Sequence, residues 1–86
     1  MKHFAENSFW NCYHKLPASI QKLADKNFHL LKLDPKHPSL HFKKIVDNLW
    51  SVRAAKGYRA LAFKMDDGHL VWFWIGKHAQ YDKLIK

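Results

Sequence analysis

Tyr58-Arg59-Ala60-Leu61-Ala62-Phe63-Lys64, Asp66-Asp67-Gly68 and Leu70-Val71-Trp72-Phe73-Trp74-Ile75 follow one another closely, and their reading decides the fold. The first segment has the aromatic and apolar spacing of a strand. The last is apolar at every position, as an interior strand covered on both faces would be. Asp-Asp-Gly between them is a hairpin turn signal, because Gly adopts the positive φ that tight turns need. Upstream, Trp50-Ser51-Val52-Arg53-Ala54 reads as another strand, and Leu40-His41-Phe42-Lys43-Lys44-Ile45 as the one before it, with Asp47-Asn48 as their turn. Four strands joined by short turns make an antiparallel meander. Residues His78 to Ile85 read as a short closing helix or turn.

Asp34-Pro35-Lys36-His37-Pro38 separates this half from a different pattern, since two prolines so close end any helix. Before it the apolar period is helical. Asn7 or Ser8 can cap a first helix with Phe9, Cys12, Tyr13 and Leu16 on one stripe. Pro17 suits the first turn of a second helix that buries Ile20, Leu23, Ala24, Phe28 and Leu31. No strand is read ahead of the first helix. The expected architecture is α+β: an N-terminal helical hairpin packed on a four-stranded antiparallel sheet, since neither layer can bury its apolar face alone.

A chain of 86 residues holds one core, so a single domain over 1–86 is expected. Four Trp, three Tyr and six Phe give that core enough ring surface to oppose chain entropy. The longest apolar run is far short of a membrane span, the first residues lack the apolar stretch of a secretory signal, and one cysteine, Cys12, excludes an internal disulfide framework. A cytoplasmic protein with no membrane association is the expectation, with Cys12 as a small buried apolar residue. The formal charge is +8, and both arginines, Arg53 and Arg59, lie in the more basic second half. Such a surface concentrates a polyanion.

The turn between the second and third strands sets how the arginines meet. A two-residue loop at Lys56-Gly57 sends them to opposite faces. A three-residue loop, Ala55-Lys56-Gly57, pairs Ala54 with Tyr58 and places Arg53 opposite Arg59; it is favoured because Gly then occupies the left-handed position. Two facing arginines repel, and residues 49–65 contain no acid, so a bound anion is one way to hold them together. The other is pairing of one arginine with Asp47, Asp82 or a helix carboxylate. Lys43 and Lys44 alternate faces, so one of them at most can join the pair. After the interior strand, His78, Tyr81 and Asp82 stand at i, i+3 and i+4 and share a helical face beside Lys77. His78 is the candidate proton carrier. Trp72 and Trp74, two apart, are expected on one face as core. No His, Cys or acidic spacing matches a metal site, and no cofactor motif is present.

Leu16-Pro17, His37-Pro38-Ser39-Leu40-His41-Phe42-Lys43-Lys44, Ser51-Val52-Arg53, Tyr58-Arg59-Ala60-Leu61 and Trp72-Phe73-Trp74-Ile75-Gly76-Lys77-His78 with Tyr81-Asp82 resemble the RelE/ParE superfamily of bacterial toxins over nearly the whole chain. The resemblance implies the toxin of a toxin–antitoxin pair, held inactive by a cognate antitoxin protein. It implies a metal-independent endoribonuclease (an mRNA interferase), acting on mRNA, often on the ribosome. The ParE-like branch, which inhibits DNA gyrase without nuclease chemistry, is the alternative. Carried over residue by residue, the active-site groups are Arg59, His78 and Tyr81. Arg53 and one of Lys43 or Lys44 match more loosely, and together with Lys77 they are the expected phosphate contacts.

Overall fold

The computed structural model describes residues 2–85. Its elements are β1 (His3–Ala5), α1 (Asn7–His14), α2 (Ala18–Leu33), a 3₁₀ turn (Pro38–Leu40), β2 (Lys43–Val46), β3 (Leu49–Ala55), β4 (Tyr58–Lys64), β5 (Leu70–Lys77) and α3 (His78–Leu84). The sheet runs β1-β5-β4-β3-β2. The meander β2 to β5 is antiparallel, as its sequence pattern predicts, with β5 in the interior and β4 in the middle.

The fifth strand corrects the expectation of four. β1 pairs parallel to β5, His3 against Leu70 and Ala5 against Trp72. Three residues carry too little pattern to show period two, and what recruits them is the otherwise unpaired edge of β5. The helix boundaries also shift. Asn7 and Ser8 lie inside α1, whose N-cap is Glu6, and the Ser8 hydroxyl instead donates to the Phe73 carbonyl at 2.8 Å. Pro17 is the N-cap of α2 rather than its first helical residue. β2 begins at Lys43, not Leu40: Leu40 is fully buried in the core, and His41 turns the chain through a left-handed conformation at φ 46°.

Both helices of the N-terminal hairpin lie on one face of the sheet. Ala24 and Leu31 of α2 are buried there with Leu40, Val52, Ala54, Ala60, Ala62, Leu70, Trp72 and Ile75. The alanines at 54, 60 and 62 let the helices approach closely, and the large side chains come from α2 and β5. Phe9, Cys12 and Tyr13 of α1 pack against this core as expected, partly buried, and Leu16 joins them from the bend after the helix, which ends at His14. Phe28 stays exposed on the wall of an apolar cleft of about 240 Å³ that α1, α2 and the sheet leave between them, and Leu23, outside that cleft, is exposed as well, so neither is buried as expected. Among the described residues, no helix is long and apolar enough to cross a membrane.

Candidate functional site

The other face of the sheet carries the polar chemistry. The β3–β4 turn sits between the two geometries anticipated from sequence. Its loop has two residues, with Ala55 paired to Tyr58 and Gly57 at φ 79°, so the favoured three-residue loop is corrected. A bulge at Ala54 then inserts one residue and restores the predicted consequence, Arg53 opposite Arg59.

Arg59 is only 6% exposed. Its Nε–H donates to Ser51 Oγ at 3.0 Å, its Nη2 donates to the same oxygen, and Nη2 also reaches the His41 carbonyl at 3.3 Å. The guanidinium carbon lies 5.1 Å from the centre of the Tyr81 ring, itself buried beneath it. Burial lowers the Arg59 pKa from its ordinary value; Tyr81 opposes that, Arg53 adds to it, and Asp82 opposes it again. The group stays cationic, because arginine loses its proton only at extreme pH. Nη1 makes no hydrogen bond of good geometry among the described residues and is not sealed from solvent, although the Tyr81 side chain lies near enough to contribute hydrogen-bonding stabilisation to the guanidinium. The guanidinium is thus clamped along one edge and on one ring, with its remaining donor pair free to meet an anion.

α3 brings the predicted triplet beside it. Its first turn is anchored by the His78 amide, which donates to the Gly57 carbonyl at 2.8 Å. His78 Nδ1 lies 3.2 Å from Asp82 Oδ2, and the His78 and Tyr81 rings are 5.4 Å apart. Tyr81 therefore touches both Arg59 and His78. Nδ1 faces Asp82, so Nε2 is the ring nitrogen turned away from the pair, where it can meet another molecule. Both side chains are about half exposed, so a solute can reach them.

Register sorts the lysines. Lys43 pairs with Ser51 and shares the Arg59 face, whereas Lys44 pairs with Trp50 on the helical face. Lys77 pairs with Tyr58, also on the helical face, at the end of the sheet. Arg59, Tyr81 and His78 are thus in contact, Arg53 stands opposite Arg59 in the register, and Lys43 shares that face of the sheet, whereas Lys44 and Lys77 do not. Among the described residues neither arginine forms an ion pair, and Asp82 is engaged by His78. Ser51 and the His41 carbonyl were not read as site groups. A lone hydroxyl in an otherwise apolar strand, two residues from Arg53, was the available signal for Ser51. Nothing local announces a carbonyl that depends on a left-handed residue.

The tryptophans correct a further expectation. A bulge in β5 pairs Trp72 with Ala62 but Trp74 with Leu61, which puts Trp72 in the core and Trp74 on the arginine face. Phe73 joins the same face and stacks on Phe63 at 4.6 Å.

No protein-family profile and no curated protein matches the chain. Solved structures do. The RelB–RelE antitoxin–toxin complex from Methanococcus jannaschii aligns over 96% of this chain and 99% of that one, with a TM-score of 0.73 at 14% identity. The isolated E. coli RelE toxin aligns over 99% and 98%, with a TM-score of 0.64 at 13% identity. The YoeB/ParE toxin from Agrobacterium tumefaciens aligns over 91% and 99%, with a TM-score of 0.65 at 16% identity. The match extends over the helical hairpin, the five-stranded sheet and the closing helix together, and the chain therefore has the fold of the RelE/ParE superfamily of toxins.

Proposed function

We propose that this protein is the toxin of a toxin–antitoxin pair and cleaves mRNA without a metal ion. The observation that carries the reading is Arg59: a buried guanidinium, braced by Ser51, His41 and Tyr81, that presents its free edge beside a His78–Asp82 pair. Fold similarity alone would not choose a chemistry. RNA has an internal nucleophile, the 2′-hydroxyl next to the scissile phosphate. His78 takes the hydroxyl proton on Nε2, while Asp82 holds the ring in the required tautomer and stabilises the imidazolium that forms. The 2′-oxygen attacks phosphorus, and the extra negative charge falls on the non-bridging oxygens that Arg59 Nη1 and Arg53 face. The 5′-oxygen then leaves with a proton, which the imidazolium or water supplies. Tyr81 fixes the planes of both Arg59 and His78. Lys43 holds the RNA backbone on the same face.

The superfamily fold makes an antitoxin protein the expected partner, and RelB antitoxins accompany several of the structural neighbours. The test is expression in bacteria followed by primer extension on cellular mRNA. Wild type gives new 5′ ends and growth arrest, and cleavage by purified protein with ribosomes survives EDTA. His78→Ala lowers cleavage by about 10²–10⁴-fold with the fold intact. Loss of supercoiling by gyrase without any RNA cleavage would replace this reading with the ParE-like one.

A further inference from the structure

Trp74 is the aromatic residue that the site described above leaves unused. It pairs with Leu61, next along the strand from the Gly76–Arg59 pair, so it lies on the Arg59 face about 7 Å along β5 from that pair. Its ring does not stand away from the sheet. A Cβ built on Gly76 would come within 2.6 Å of Trp74 Cζ2 and 3.1 Å of Cη2, so the benzo ring leans back over Gly76, into the space a side chain would fill. Gly76 lies directly opposite Arg59. The absent side chain at 76 is therefore what brings the indole beside the arginine. Gln80 Oε1 reaches the same spot, 3.0 Å from that Cβ position, and puts an amide next to the ring. Trp74 remains partly exposed, and neither residues 49–65 nor residues 68–81 contain an acid.

A partly exposed indole beside the solvent-reached edge of a guanidinium, on an acid-free strip of sheet, is a combination that suits single-stranded nucleic acid. The cation takes a phosphate and the ring takes the neighbouring base. Farther along, the face becomes an apolar row across all five strands, Phe4, Val71, Phe63, Leu49 and Val46, with no cation in it. That row suits a protein, whereas Trp74 sits at the cationic end. We propose that the Trp74 ring stacks the base adjacent to the scissile phosphate held by Arg59, so that Trp74 sets affinity and base preference at that one nucleotide. The proposal rests on the nuclease reading.

Short 2′-O-methylated oligo(A) and oligo(U) test it, because methylation removes the nucleophile and binding is read without cleavage. Anisotropy of labelled oligomers should show wild type binding oligo(A) more tightly than oligo(U), since purines stack better. Trp74→Leu should weaken oligo(A) binding about tenfold and erase the preference, and Trp74→Phe should retain most of both. Tryptophan fluorescence is an independent measurement: oligo(A) should quench wild type, and Trp74→Phe, which keeps the other three tryptophans, should lose that quenching. This second measurement holds even if Trp74→Leu fails to fold. Unchanged affinity in folded Trp74→Leu, or undiminished quenching in Trp74→Phe, overturns the proposal. So does a Trp74→Leu protein that binds RNA normally but escapes inhibition by its partner protein, which would make Trp74 a protein contact. If wild type binds neither oligomer and cleaves no mRNA, the nuclease reading falls with it; if wild type cleaves mRNA and Trp74→Leu binds and cleaves as well, only the stacking role falls.

Discussion

Replacing Ser51 by Ala removes one oxygen and leaves two guanidinium donors of Arg59 facing a wall. Ser51 is fully buried and Arg59 is 6% exposed, so water has no route to replace the lost acceptor. Nη2 keeps only its 3.3 Å bond to the His41 carbonyl, and Nε keeps nothing. Hydrogen bonds to a charged group contribute about 1.5–3 kcal/mol, and orphaned buried donors cost a comparable amount. Ser51→Ala should therefore destabilise the protein by about 2 kcal/mol. For a domain of this size that lowers Tm by roughly 8–16 °C, readable by circular dichroism. The double-mutant cycle isolates the cause. In an Arg59→Leu background the hydroxyl has no guanidinium to accept from, so adding Ser51→Ala should cost under about 0.5 kcal/mol, a coupling well outside ordinary additivity. Equal destabilisation in both backgrounds would refute the clamp and make Ser51 a packing residue. Cleavage should fall in the single variant as well, because an unclamped guanidinium no longer presents Nη1 in a fixed direction.

Asp82→Asn should reduce cleavage by about tenfold or more while leaving Tm nearly unchanged, since an exposed i,i+4 pair contributes only about 0.3–0.5 kcal/mol to stability; primer extension and thermal melts on the same samples check both halves. Lys43→Ala should weaken RNA binding and lower the slope of log affinity against log salt by about 0.7, whereas Lys44→Ala, on the opposite face, should leave the slope unchanged in a salt titration. His3 gives a pH dependence of stability. Burial first, then the α-amino group and Lys32, hold its pKa below 6.5, and its Nδ1 accepts from Trp72 Nε1–H at 3.1 Å, a bond that protonation breaks. The unfolded chain thus takes up that proton first, so the contribution is fully present above the unfolded value of about 6.5 and is lost as pH falls below it. Urea denaturation should show wild type losing stability from pH 7 to pH 5 more steeply than His3→Gln, which keeps an acceptor for Trp72 but does not titrate.

The order of helices and strands, the helical hairpin, the four-stranded meander and the closing helix were legible along the chain, because each depends on local periodicity and on turn residues such as Gly57 and Gly68, both at positive φ. The shared helical face of His78 and Asp82 was legible for the same reason, whereas Arg53 and Arg59 face each other as expected but by a different route from the one the turn suggested. Four things were not. β1 became a strand only because β5 had a free edge. Trp72 and Trp74 parted because a bulge in β5 shifts the alternation by one residue, and a bulge is chosen by packing on both faces rather than by the residues within it. The β3–β4 loop is shorter than its glycine suggested, yet the arginines still meet, because a second bulge made up the difference. Last, the bracing of Arg59 joins Ser51, Tyr81 and a left-handed His41 from three separate segments. Periodicity reports how a side chain sits relative to its own element; which groups converge on one guanidinium depends on how the elements cross, and that is decided only when the sheet and α3 close around it.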